Sequence, residues 1–162
     1  VESFGDPGVL ISRIFPTTRS QNGRVALVRH FTHKAIPIVI PEIMDELDVF
    51  MSSPKQIQEL VDALNKYDSV VTSAMHIFIT CQSYGIPCAL ITFEGFEDSV
   101  HGTGIKYGDY AQGVGLAAID PVSVGLDVTK RDFDNITTNH KISQEKLDEV
   151  EQAIKTGLSY LD

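Results

Sequence analysis

Histidine is the side chain best suited to move a proton near neutral pH. Two histidines in this chain directly follow short apolar runs. His30 comes after Arg24-Val25-Ala26-Leu27-Val28-Arg29, and His76 after Ser69-Val70-Val71-Thr72 and a serine that reads as a helix cap. With Ser73 as N-cap, His76 occupies the first helical turn, beside backbone N–H groups that attract an anion. The positive end of a helix disfavours a second positive charge, so an imidazole there stays neutral until an anion arrives. The structural alternative is a histidine that fills a gap and bonds a backbone carbonyl. From position alone the two stand level.

Other residue types add to this set. Lys106, Asp109 and Tyr110 lie at i, i+3, i+4 and so share a helix face. Lys106 would bind an anion that Asp109 orients, or the two would form an exposed ion pair worth ~0.2–0.5 kcal/mol. Glu94 opens a glycine-rich loop to Gly104 after the run Cys88-Ala89-Leu90-Ile91-Thr92. Gly102-x-Gly104 lacks the tight strand-to-helix turn of a dinucleotide loop. His30 and His33 have the spacing of a metal-binding pair, but no third ligand stands near them in sequence. Cys81 and Cys88 fit no zinc pattern and read as two small buried thiols, with a disulfide as the alternative. Asn135-Ile136-Thr137 matches a glycosylation sequon by pattern alone.

Elements that position these residues alternate between helix and strand. Gly5-Asp6-Pro7-Gly8 starts a helix with Asp6 as cap, and Pro16 ends it. Strands are expected at Val25–Val28, Val49–Met51, Val70–Thr72 and Ala89–Ile91. Ser52-Ser53-Pro54 caps a helix to about Lys66, with Ile57, Leu60, Val61 and Leu64 on one face. The helix after Ser73 runs to Tyr84, and Gly85 stands where a left-handed cap belongs. A short helix is expected from Lys106 to about Gln112. Val122 to Asn139 shows no clear period. Ser143 caps a terminal helix, Gln144 to Leu161, whose apolar stripe is Leu147, Val150, Ile154, Leu158 and Leu161. The alternation predicts an α/β domain: a parallel β-sheet with helices on both faces, Rossmann-like, and ligands beyond the carboxyl ends of its strands.

The size suits this reading. The chain has 162 residues, with hydrophobic residues at 43% and charged residues at 22%, as in an ordinary globular domain. A net charge of −9 argues against a general nucleic-acid or anionic-membrane surface, so any phosphate must be held by a few local donors. No apolar run approaches the ~18 residues needed to span a bilayer, and VESFGDPG has no signal-peptide character. A reducing, cytoplasmic setting is expected.

At these residues the chain resembles a family. VVTSAMHIFITCQSYGIPCALITFE, from Val70 to Glu94, resembles the strand–[ST]-x-[LM]-H–helix–GIP–strand signature of polysaccharide pyruvyltransferases. Lys106-Tyr107-Gly108-Asp109-Tyr110, followed by Gly113-Val114-Gly115-Leu116, resembles that family's K-x-x-D-[YW]…GL segment. Gly5-Asp6-Pro7-Gly8 and Val28-Arg29-His30 resemble its G-D-P and V-P-H elements. The order and spacing agree from about Gly5 to Leu116. Ala74 stands where many members have Arg, Ile77 where Gly is frequent, and Arg29 in place of Pro.

The resemblance implies one half of a GT-B-like enzyme, with residues 1–162 as the C-terminal Rossmann-like domain and an N-terminal acceptor domain as partner. It implies transfer of an enolpyruvyl group from phosphoenolpyruvate to a glycan, giving a pyruvate ketal, without metal or other cofactor. In that reading His76 is the acid/base, and Lys106, His30, Ser73, Asp109 and Glu94 hold substrate. Arg13 and Arg29 would add charge if they face the cleft. Two other classes fit the same pattern. One is the donor domain of a nucleotide-sugar glycosyltransferase, with Glu94 or Glu97 on the ribose. The other is a non-catalytic α/β interaction module.

Overall fold

The computed structural model describes residues 6–49, 51–100 and 103–160. Five parallel strands form one sheet: β1 (Val25–Val28), β2 (Met44–Glu46), β3 (Ser69–Thr72), β4 (Cys88–Phe93) and β5 (Val122–Val124). Their order is β2-β1-β3-β4-β5. The α-helices are α1 (Ile11–Ile14), α2 (Pro54–Leu64), α3 (Met75–Tyr84), α4 (Thr103–Val114) and α5 (Gln144–Leu158). The α/β class and the parallel sheet expected from the alternation are therefore present.

The period of two along each strand divides the core. Ala26, Val28, Val70, Cys88 and Leu90 face one side, where they meet Leu60 and Leu64 of α2, Phe78 and Cys81 of α3, Tyr107 and Tyr110 of α4, and Leu147 of α5. Leu27, Val71, Ala89, Ile91 and Phe93 face the other side, against Ile36, Met44 and Val128. Both faces are covered, but differently. The first carries α-helices; the second carries extended chain around two 3-10 turns, Phe31–His33 and Val128–Lys130. These two covering segments pair with each other through a parallel bridge between Val39 and Asp127. The chain steps one way from β1 to β2 over the second face and the opposite way from β2 onwards over the first, in keeping with right-handed crossovers throughout. Burying a side chain such as Phe78 in this interior contributes ~1.5–3 kcal/mol.

Local signals set most boundaries. The Asp6 carboxylate accepts from Gly8 N at 2.7 Å, and Pro7 occupies the first turn. Ser53 and Ser143 cap α2 and α5 by accepting from Gln56 N and Lys146 N. Gly85 closes α3 at φ 73°, and an added Cβ would lie 3.0 Å from Lys141. Its left-handed conformation favours glycine there, and any larger residue would also have to displace the Lys141 side chain.

Five expectations need correction. The second strand is Met44–Glu46, not Val49–Met51. Its register is set by pairing with β1, where Val25 N donates to Ile43 O and Leu47 N to Leu27 O, and an edge strand buries only Met44. Phe50 lies outside the described residues. α4 starts earlier and ends later than Lys106–Gln112, because Tyr107, Tyr110, Ala111 and Val114 together form its buried stripe. The aperiodic stretch after Val122 includes β5, a short strand that the pattern conceals because only Val124 is buried. Ser73 does not cap α3. That position is Ala74, whose N–H donates to Thr72 Oγ1 at 3.0 Å. α5 ends at Leu158, and Leu161, like Gly5 and Gly102, lies outside the described residues.

Candidate anion site at the carboxyl edge

In the strand order 2-1-3-4-5 the connections leave β1 and β3 on opposite faces, so a crevice opens between their carboxyl ends. His30 follows β1, and Ser73 and His76 follow β3, so sequence and topology place them at this switch point. His76 is exposed in the first turn of α3. The N–H groups of Met75 and His76 have no partner among the described residues, which leaves that helix end open to an anion.

His30 is held from both sides. Its ring Nδ1 accepts from Thr32 N at 3.3 Å and meets Thr32 Oγ1 at 2.8 Å, so the imidazole caps the turn Phe31–His33. That bond assigns the proton to Nε2, which has no partner among the described residues. The His30 pKa is lowered, first by burial and then by the positive charges of His76 and Lys106. Lys106 therefore lies within electrostatic reach of His30, although it belongs to α4. Three cation-forming groups share one edge with no carboxylate among the charges that act on His30.

Ser73 has a different task from the one its sequence position indicates. It is 2% exposed, and its hydroxyl accepts from His30 N at 2.9 Å and contacts His33 Nδ1 at 2.8 Å. Ser73→Ala strands the His30 N–H and the His33 nitrogen inside the protein. The expected cost is ~1–3 kcal/mol, from unsatisfied buried groups and not from a lost cap. Chemical denaturation checks this, and a stability unchanged within 0.5 kcal/mol, roughly the limit for neutral surface changes, contradicts it.

Of the other expected site residues, Glu94 stands apart. Glu94 is exposed past the end of β4; its N–H donates to Val124 O, and its carboxylate lies by Gly125, towards β5 and away from the β1–β3 crevice. Lys106 and Asp109 are both exposed but form no ion pair with each other among the described residues. Tyr110 does not share their face: it is buried, and its hydroxyl donates to Gln82 Oε1 at 2.5 Å. Glu97 accepts from Ser123 on the β5 side.

Neither arginine is available to a ligand. Arg13 is engaged by Asp148 and Glu151 of α5, each at 2.6 Å. Arg29 binds Glu46 through two nitrogens and donates to the carbonyls of His33 and Ile36 at 2.9 and 2.7 Å. No group of three or more histidines, cysteines and carboxylates suited to a metal occurs among the described residues. Both cysteines are free and buried, and burial, reinforced by Cys81, pushes the Cys88 thiol well up.

His33 was visible in the sequence only as half of a metal motif. Its burial and its serine partners depend on contacts across 40 and 66 residues, which no local spacing reveals. The fold and this edge define an α/β domain with a small, locally cationic cradle on an acidic protein. No protein-family model, curated protein or solved structure matches the chain. No helix among the described residues is long and apolar enough to cross a membrane.

Proposed function

We propose that this domain holds phosphoenolpyruvate at the β1–β3 crevice and is the donor half of a pyruvyltransferase acting on a glycan. The observation that carries the reading is the convergence of His30, His76 and Lys106 on one sheet edge. The family resemblance had singled out these same residues from three separate stretches of sequence.

The chemistry suits the groups. The donor's carboxylate and phosphate would meet Lys106, the open N–H groups of α3 and the Nε2–H of His30. His76 delivers a proton to C3 of the enol. The cation that develops at C2 bonds to one sugar hydroxyl, which loses its proton. A second hydroxyl then replaces phosphate at C2 as the C–O bond to phosphate breaks. One proton is gained by carbon and two are lost by the hydroxyls, so a net proton leaves with phosphate or to solvent. The acceptor would be supplied by a partner domain.

Calorimetric titration of the chain with phosphoenolpyruvate tests this, with NMR signals of His30 and His76 as reporters. Binding should tighten as pH falls from about 8 to 6. Burial and neighbouring cations hold the His30 pKa down in the free protein, and a bound anion relieves the second cause. The bound state then takes up protons, and linkage requires stronger binding where protons are more abundant. Binding of a nucleotide-sugar in preference to phosphoenolpyruvate would favour the glycosyltransferase reading. Binding of neither would leave an interaction module.

A further inference from the structure

The three loops at the carboxyl edge are joined by a continuous file of hydrogen bonds, and its direction is determined by its ends. At one end, the Ser99 hydroxyl donates to Phe96 O at 2.5 Å. Its oxygen is then free to accept, so His33 Nε2, 2.6 Å away, is the donor. With the proton on Nε2, His33 Nδ1 is an acceptor, and the Ser73 hydroxyl 2.8 Å away donates to it. Ser73 Oγ in turn accepts from the backbone N–H of His30 at 2.9 Å. Each donor in the file has one acceptor, and the other tautomer of His33 would leave two lone pairs facing each other at Ser99.

The surroundings of His33 hold it in this state. It is 1% exposed, and the Phe93 ring stands edge-on at 5.4 Å. The charged groups that act on it are His30 and Arg29, both of which disfavour a positive imidazole. Glu46, the nearby carboxylate, is engaged by Arg29, whose guanidinium also grips the His33 carbonyl. The backbone carbonyl of Phe96 acts in the opposite sense but ranks below burial.

We propose that His33 is the positioning residue of the cradle: a neutral Nε2–H imidazole that, through Ser73, fixes the His30 backbone and so aims the His30 ring at the crevice. It touches no ligand itself. This rests on the anion-site reading only for its functional meaning, because the positioning is read without any ligand.

The decisive experiment is NMR on the chain with ¹⁵N-labelled histidine, together with hydrogen exchange. In the parent at neutral pH, His33 should show the Nε2–H tautomer, and the His30 amide should be strongly protected. In His33→Asn, and in the milder Ser99→Ala, the His30 amide should exchange at least about fivefold faster, as expected when a buried bond of ~1 kcal/mol or more is lost from a local opening. Amides of β4 should stay protected. If His33→Asn does not fold, Ser99→Ala alone decides, since it removes only the outer end of the file. A parent His33 in the Nδ1–H tautomer, a charged His33 at pH 7, or an unaltered His30 amide in the folded variants would each overturn the proposal. Titration of parent and variants with phosphoenolpyruvate separates the two ideas. A parent that shows the tautomer and the protection but binds no anion removes the proposed function and keeps the positioning role.

Discussion

Lys106→Ala is expected to weaken phosphoenolpyruvate binding roughly 10- to 100-fold, the range for one hydrogen bond to a charged group in a partly dry cleft. The variant should fold normally, because Lys106 is exposed and makes no ion pair among the described residues. His76→Ala should behave differently. In the enzyme with its acceptor domain, it should lower turnover by ~10²–10⁴ while changing donor affinity less, as loss of a general acid does. Glu94→Ala, on the β5 side of the sheet, is the control and should alter neither. Equal affinities for the parent and Lys106→Ala, measured by calorimetry, would remove Lys106 from the site.

Arg29→Ala should be among the most destabilising single changes at this edge. The Arg29 side chain is 9% exposed, while that of its partner Glu46 is 31% exposed. Removing the guanidinium leaves a carboxylate and two carbonyls, those of His33 and Ile36, without their donor. A broken buried pair costs ~3–5 kcal/mol, and the partial exposure of Glu46 reduces this to about 2–3 kcal/mol. For a domain of this size that is roughly 4–12 °C in Tm. Arg29→Lys should recover only part of the loss, since an ammonium cannot reproduce the fork. A melting temperature unchanged by either substitution would show that the pairing adds nothing.

The sequence was most readable where one short stretch decides the outcome. The βαβ unit from Ser69 to Phe93 shows its strands as apolar runs and its helix end as Gly85, and all three features are present as expected. It was least readable at the edges. β2 and β5 are three residues each, with one buried position apiece, so tertiary pairing and not pattern places them. The same division holds for the site. His30 and His76 were legible because each lies within a few residues of the end of a central strand. Ser73 was read as a cap because serine before a helix usually is one. Here Thr72 takes the first amide, and Ser73 turns to the neighbouring loop. Arg29 read as available charge, and its four acceptors become evident only once the turn at Phe31–His33 folds back over it.

The contact between Arg13 and α5 has a consequence for how the chain reaches this structure. It closes a span of 138 residues, whereas β3 and β4 are joined through a single helix between them. Closing a long loop costs more chain entropy before any contact rewards it, so the Ser69–Phe93 βαβ unit should be structured early and the two ends of the chain should dock late. β1 belongs to the later group. It must slot between β2 and β3, pairing Val25 with Ser69 across 44 residues. The cradle spans β1 and β3, so it is completed in the slow, non-local phase of folding. A chain arrested after its first fast phase would carry His76 on a formed helix, with His30 not yet opposite it.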